Sequence, residues 1–162
     1  MTAGETGTGF GLYVHWPFCQ AKCPYCDFNS HVTAHVDQGR WARAFAAEIA
    51  RVAARTPDRR LTSVFFGGGT PSLMAPDTVS VVMDAARAAW ATADDMEVTL
   101  EANPTSVEAG RFAGYRDAGV NRGSLGVQAA ERPQCAGFHL SHLAGVDEER
   151  LAAPVAQARM SI

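Results

Sequence analysis

Three cysteines, Cys19, Cys23 and Cys26, fall within eight positions in the stretch "CQAKCPYCDF". Thiolates spaced C-x3-C-x2-C can cap three corners of one compact inorganic centre. A structural zinc site asks instead for four protein ligands in two spaced pairs, and here a fourth could only be His15 or the distant Cys135. Three thiolates on a [4Fe–4S] cube leave one iron open to bind something that is not protein. A disulfide framework among the four cysteines is disfavoured, because clustered cysteines in a reducing cytosol bind metal or carry redox chemistry.

Such residues need elements to position them. The chain has 162 residues, 47% of them hydrophobic and 19% charged, which suits one globular domain with one core. A formal net charge of −3 creates no field that favours nucleic acid or an anionic membrane. The longest apolar runs fall far short of the ~20 residues that a membrane span needs. The opening "MTAGETGTGFG" has neither a basic start nor an apolar core, so it does not read as a signal peptide, and a cytoplasmic location is expected.

Residues 1–10 are Gly/Thr-rich and are expected to be disordered. "GLYVHWP" reads as a buried strand that runs to Pro17 and into the cysteine loop. Trp41, Phe45, Ile49 and Val52 recur at helical spacing and predict a helix from Asp37 to about Val52. Arg43, Arg51, Arg55, Arg59 and Arg60 would form its solvated face and exit loop. "LTSVFF" (61–66), bounded by "GGGTP", predicts a second strand, and residues 77–90 a second helix with Val79, Val82, Met83, Ala86 and Trp90 on one face. "MEVTLEANP" predicts a third strand ending near Glu101. Thr105 and Glu108 make a capping-box pattern, Gly119 a helix stop after Phe112 and Tyr115, and "VNRGSLGVQ" a fourth strand. Strand and helix alternate as in repeated βαβ units with a parallel sheet. The cysteine-bearing, Gly-rich and polar stretches all follow strand ends, where α/β folds carry their sites, so they converge on one face.

The blocks "LYVHWPFCQAKCPYCDFNS", "FFGGGTPSLM", "EANP" and "GVNRGSLGVQ", in that order, resemble the radical S-adenosylmethionine (SAM) superfamily. More narrowly they resemble the oxygen-independent coproporphyrinogen III oxidase family, and within it the branch of HemW-type heme chaperones. The resemblance covers roughly residues 11–128 and implies an α/β fold, a partial radical SAM (β/α) barrel of about four βα units. Residues 129–162 would be a divergent tail, with "GVDEERLAAPVAQAR" reading as a helix interrupted by Pro154.

The resemblance implies that Cys19, Cys23 and Cys26 hold three irons of a [4Fe–4S] cluster, with the amino and carboxylate groups of SAM on the fourth. Tyr13 would contact SAM, and Tyr25 would shield the cluster and touch the adenosine. Gly68, Gly69 and Thr70 would present backbone groups to the methionine part, glycine permitting close approach. Glu101 would accept hydrogen bonds from SAM. Gln128 matches a glutamine that contacts a second SAM in the oxidases. The implied chemistry is reductive cleavage of SAM, and the implied partners are heme or a porphyrinogen, an electron donor and heme-acceptor proteins.

The oxidases resembled here carry a further cysteine where this chain has Phe28, which favours the chaperone branch. After Gln128 the family pattern is lost in "AAERPQCAGFHLSHL", and Cys135, His139 and His142 there match no metal motif. The chain ends at Ile162, short of the family's later strands and of the chaperones' heme-binding histidine motif. The strand at 120–127 is therefore expected to lack its next neighbour, and the chain alone to be a poor catalyst. Three functions stay open: a heme chaperone, a coproporphyrinogen oxidase with the same centre, and an inactive fragment or simple metal-binding module. His15 is either a hydrogen-bonded core histidine or part of the shell around cluster or substrate.

Overall fold

Side chains of a strand alternate between its two faces, and β1 (Phe10–Trp16) uses that alternation fully. Leu12, Val14 and Trp16 turn to the core, while Tyr13 and His15 turn the other way. The computed structural model describes residues 9–21, 29–102, 109–127 and 156–161. Within them β1 is followed by the two-residue strands β2 (Phe18–Cys19) and β3 (His31–Val32), then α1 (Gln38–Ala53), β4 (Arg60–Gly68) and a 3-10 turn (Pro71–Leu73). Next come α2 (Pro76–Ala89), β5 (Ala91–Ala102), α3 (Ala109–Asp117), β6 (Arg122–Val127) and β7 (Ala156–Ser161).

β1, β4, β5 and β6 lie side by side in that order and all run parallel. Right-handed crossovers put the intervening helices on one side of such a sheet. Trp41 and Phe45 of α1 pack their rings against Trp16. Val79, Val82 and Met83 of α2 and Phe112 and Tyr115 of α3 join Val14, Val64, Phe66, Val98 and Leu100 in one core. Each large side chain so buried contributes about 1.5–3 kcal/mol.

The local signals for these helices are plain. The Asp37 carboxylate accepts from the Arg40 amide at 2.9 Å and caps α1, and Pro76 opens α2, where a missing N–H costs nothing. Gly119 ends the α3 region at φ +102°, a backbone state other residues avoid.

The opposite face of the sheet is different in kind. Register aligns Tyr13 with Phe65, His15 with Gly67, Phe65 with Thr99, Thr99 with Arg122 and Glu101 with Ser124. Glycine and polar side chains, with the stacked rings of Tyr13 and Phe65, thus line a face that no described helix covers. An open parallel sheet would bury both faces under helices. One helix-clad face and one polar face make this an α/β fold of the partial-barrel kind, the polar face being the barrel's interior wall. The part of the expected tail helix before residue 156 falls outside the described residues, as do the capping pair Thr105 and Glu108 and the site candidates Cys23, Tyr25, Cys26 and Gln128. Cys135, His139 and His142 also lie there.

Two expectations need correction. β5 begins at Ala91, five residues before the expected Met96, with a register shift opposite Leu61–Ser63 that absorbs the extra length. β6 does not stand at a bare edge: β7 pairs with it antiparallel, from Arg122 opposite Ser161 to Val127 opposite Ala156. Residues 156–159, read above as the end of a helix, are therefore strand. The free N–H and C=O row of an edge strand is a template for any extended segment. An antiparallel partner needs no crossover helix, and no proline follows Pro154 to interrupt its ladder.

Candidate cofactor site at the strand ends

β1 runs through Pro17 directly into Cys19, a residue only 8% exposed. The glycine loop after β4 is fastened to that segment by main-chain bonds. Gly69 N–H donates to Trp16 O at 2.7 Å and Thr70 N–H to Phe18 O at 2.8 Å. The Thr70 hydroxyl donates to Cys19 Sγ at 3.4 Å. The hydroxyl thus holds the Cys19 sulfur against the glycine loop.

β2 and β3 close the base of the cysteine loop. His31 N–H donates to Pro17 O at 2.7 Å and Thr33 N–H to Cys19 O at 3.1 Å. Of the three thiols predicted to act together, the described residues contain Cys19 alone, and they hold no cluster of three or more His, Cys, Asp or Glu suited to a metal ion.

The glycines are demanded by the chain's own close approaches. A Cβ on Gly67 would lie 2.9 Å from the Tyr13 hydroxyl oxygen and from Phe65 Cε1. Gly68 sits at φ +114°, with a Cβ there 2.8 Å from His15 Nδ1. A Cβ on Gly69 would lie 2.7 Å from Phe18 O and 3.0 Å from Cys19 Sγ. Gly67 was not among the residues singled out in the sequence, although it completes the bare strip; a run of glycines does not say which member meets which neighbour.

Glu101 stands half-buried at the end of β5, where its carboxylate accepts from the Gly68 amide. Burial pushes its pKa up, and that hydrogen bond only partly offsets the rise. Tyr13 is 58% exposed on the interior face, and desolvation together with the Glu101 charge raises its phenol. The amides of Gly68, Gly69 and Thr70 all donate within the chain. His15 Nε2 lies 3.2 Å from Asn29 O, so the ring is a hydrogen-bonded bridge to the far end of the cysteine loop.

Residues 13–150 match the Radical SAM superfamily. The chain belongs to that superfamily. It is 47% identical over 120 residues to the bovine (Bos taurus) protein named radical S-adenosyl methionine domain-containing protein 1, mitochondrial, a match covering 74% of this chain and 27% of the relative. It is 40% identical over 146 residues to the heme chaperone HemW of Escherichia coli, covering 90% of this chain and 38% of that one. Among solved structures it resembles coproporphyrinogen III oxidase (HemN) from Escherichia coli, described as a radical SAM enzyme, with a TM-score of 0.71 at 29% identity. That superposition covers 80% of this chain and 30% of the oxidase. This radical SAM chain thus spans between about a quarter and two fifths of the length of these relatives.

The residues present fit the superfamily's two cofactors. The buried Cys19 thiol with a hydroxyl donor suits an iron-bound thiolate. The half-buried Glu101 carboxylate, beside the exposed Tyr13, suits a cationic sulfonium amino acid.

Proposed function

We propose that these residues build the [4Fe–4S]- and SAM-binding core of a HemW-like heme chaperone, which binds heme and passes it to acceptor proteins. The observation that carries the reading is the glycine strip of Gly67, Gly68 and Gly69, held between Tyr13 and Cys19 and flanked by Glu101. The identity to curated HemW proteins, 40% in Escherichia coli and 41% in Mycobacterium tuberculosis, supports the chaperone branch.

In this reading Cys19, Cys23 and Cys26 hold three irons, and Tyr25 shields them from water. Glu101 orients the amino acid part of SAM by accepting its N–H groups, and Tyr13 borders it on the β1 side. Gly68, Gly69 and Thr70 bring main-chain oxygens close to the same group. Gln128, by position in the family, faces a second SAM. When bound, cluster and SAM together supply one-electron reductive chemistry, which the protein orients and shields. An electron donor is required, and the working place is the cytoplasm, although several relatives are named mitochondrial. No helix among the described residues is long and apolar enough to cross a membrane.

The structural likeness to coproporphyrinogen III oxidase favours a second reading, radical decarboxylation of a porphyrinogen. Phe28, where the oxidases resembled here have a cysteine, weighs against it. Anaerobic reconstitution with iron and sulfide tests both readings. A brown protein with about four irons per chain that binds SAM and takes up heme stoichiometrically supports the chaperone. Turnover of porphyrinogen supports the oxidase. A colourless protein retaining one zinc overturns the radical SAM cofactor reading altogether.

A further inference from the structure

The loop that carries the glycines continues into the turn Pro71–Leu73, and side chains from two helices bond to that segment. The Tyr115 hydroxyl of α3 donates toward both Ser72 O and Met74 O, each at 2.8 Å. Arg111 Nη1, one helical turn earlier, donates to Ser72 O at 2.9 Å. From α1, Gln38 Nε2 donates to Leu73 O at 3.2 Å, while its Oε1 accepts from Ala75 N–H at 3.1 Å and from the Thr78 hydroxyl at 3.0 Å.

Tyr115 is fully buried. If packing alone were its task, phenylalanine would serve, because a buried hydroxyl costs free energy unless it is bonded. The approach of α3 is close: a Cβ on Gly114 would lie 2.8 Å from Pro76 Cβ and Cγ. The same loop is tied at its other end to Trp16 O, Phe18 O and Cys19 Sγ through Gly69 and Thr70. Residues 69–75 therefore form a strap with Cys19 at one end and the helices' polar side chains at the other.

We propose that Tyr115 is a positioning residue for the glycine loop: with Gln38 across the turn, its hydroxyl fixes Ser72–Met74 and thereby the seat of Gly69 and Thr70 against Cys19. The consequence for SAM rests on the function proposed above; the clamp itself does not.

The test compares Tyr115→Phe, which removes only the hydroxyl, with Val82→Ala, which loosens the core without touching the strap. Amide hydrogen exchange of the full chain without cofactors is read first, because it reports local opening residue by residue. Tyr115→Phe should speed exchange at Gly69, Thr70, Leu73 and Met74 about tenfold beyond any change in β5, the scale of one lost buried hydrogen bond. Val82→Ala should show no such local excess. Gln38→Met, on the other side of the turn, should reproduce the effect if Tyr115→Phe folds poorly. In reconstituted protein, Tyr115→Phe should keep its iron and sulfide but bind SAM about tenfold more weakly, with a smaller SAM-induced change in the electron paramagnetic resonance signal of the reduced cluster. Equal exchange profiles in the hydroxyl and core variants would overturn the clamp. A wild-type chain that binds no SAM would overturn the proposed function while the exchange data still judge the clamp.

Discussion

The backbone amide of Gly68 donates to the carboxylate of Glu101, tying the last residue of β4 to the end of β5. Burial nevertheless dominates, so the folded state keeps the Glu101 proton to a higher pH than the unfolded chain does. Between those two values the folded protein binds more protons, and stability falls as pH rises through the window just above the ordinary carboxylate range. Urea midpoints measured across that window should show the decline in the wild type and a flatter profile in Glu101→Gln. An identical slope in both would assign it to another group.

Gly69→Val is expected to lose iron as well as SAM. The new Cβ would meet Phe18 O and Cys19 Sγ before it met any ligand, so the segment carrying the thiol must move. Iron and sulfide counts after reconstitution should fall well below those of wild type. A full complement of iron with SAM binding alone abolished would show that the loop yields and Cys19 does not.

Replacing Cys19, Cys23 or Cys26 by alanine should each abolish the brown absorption of the reconstituted protein, whereas Cys135→Ala should leave it intact. Persistence of full iron content in any of the first three variants would remove that cysteine from the ligand set.

Asn121 extends the pairing of β5 and β6 with its side chain: Oδ1 accepts from Val98 N–H at 2.8 Å and Nδ2 donates to Met96 O at 2.9 Å. Asn121→Ala should cost about 1–3 kcal/mol, chiefly from the Val98 amide left unpaired. Denaturant unfolding of the variant checks the figure, and a loss near zero would mean that water replaces the side chain.

The strands of the parallel core and the first two helices were legible in the sequence because their signals are periodic. Val14 and Trp16 alternate with Tyr13 and His15, and Trp41, Phe45 and Ile49 recur by helical turns. The first part of β5 was hidden by Asp94 and Asp95, whose charges look like a loop although they lie within a strand. β2 and β3 are two residues each, too short to have a period. β7 follows a proline in an alanine-rich run that favours helix locally, and only the open edge of β6 overrides that preference. At the site, Cys19, Gly68, Gly69, Thr70, Tyr13 and Glu101 were read from motifs and meet at neighbouring strand ends. Tyr115, Arg111 and Gln38 were not read as site residues, because a side chain that bonds main-chain carbonyls has no characteristic spacing. Arg59 and Arg60 are exposed as expected, and they also lie over the Phe10 ring and 3.8 Å from Asp94 respectively.

The pairing of β2 with β3 also bears on how tightly a metal centre could be held. Hydrogen bonds at Pro17–His31 and Cys19–Thr33 make the intervening segment a closed ring before anything binds within it. The entropy of closing such a ring grows as about (3/2)RT ln n, and folding has already supplied it here. If Cys19, Cys23 and Cys26 bind iron as proposed, they would do so as a tethered chelator at high effective concentration rather than as three independent thiols. Fraying those two bonds would relax the ring and dilute its donors, so the proposed iron binding would be coupled to a pair of two-residue strands.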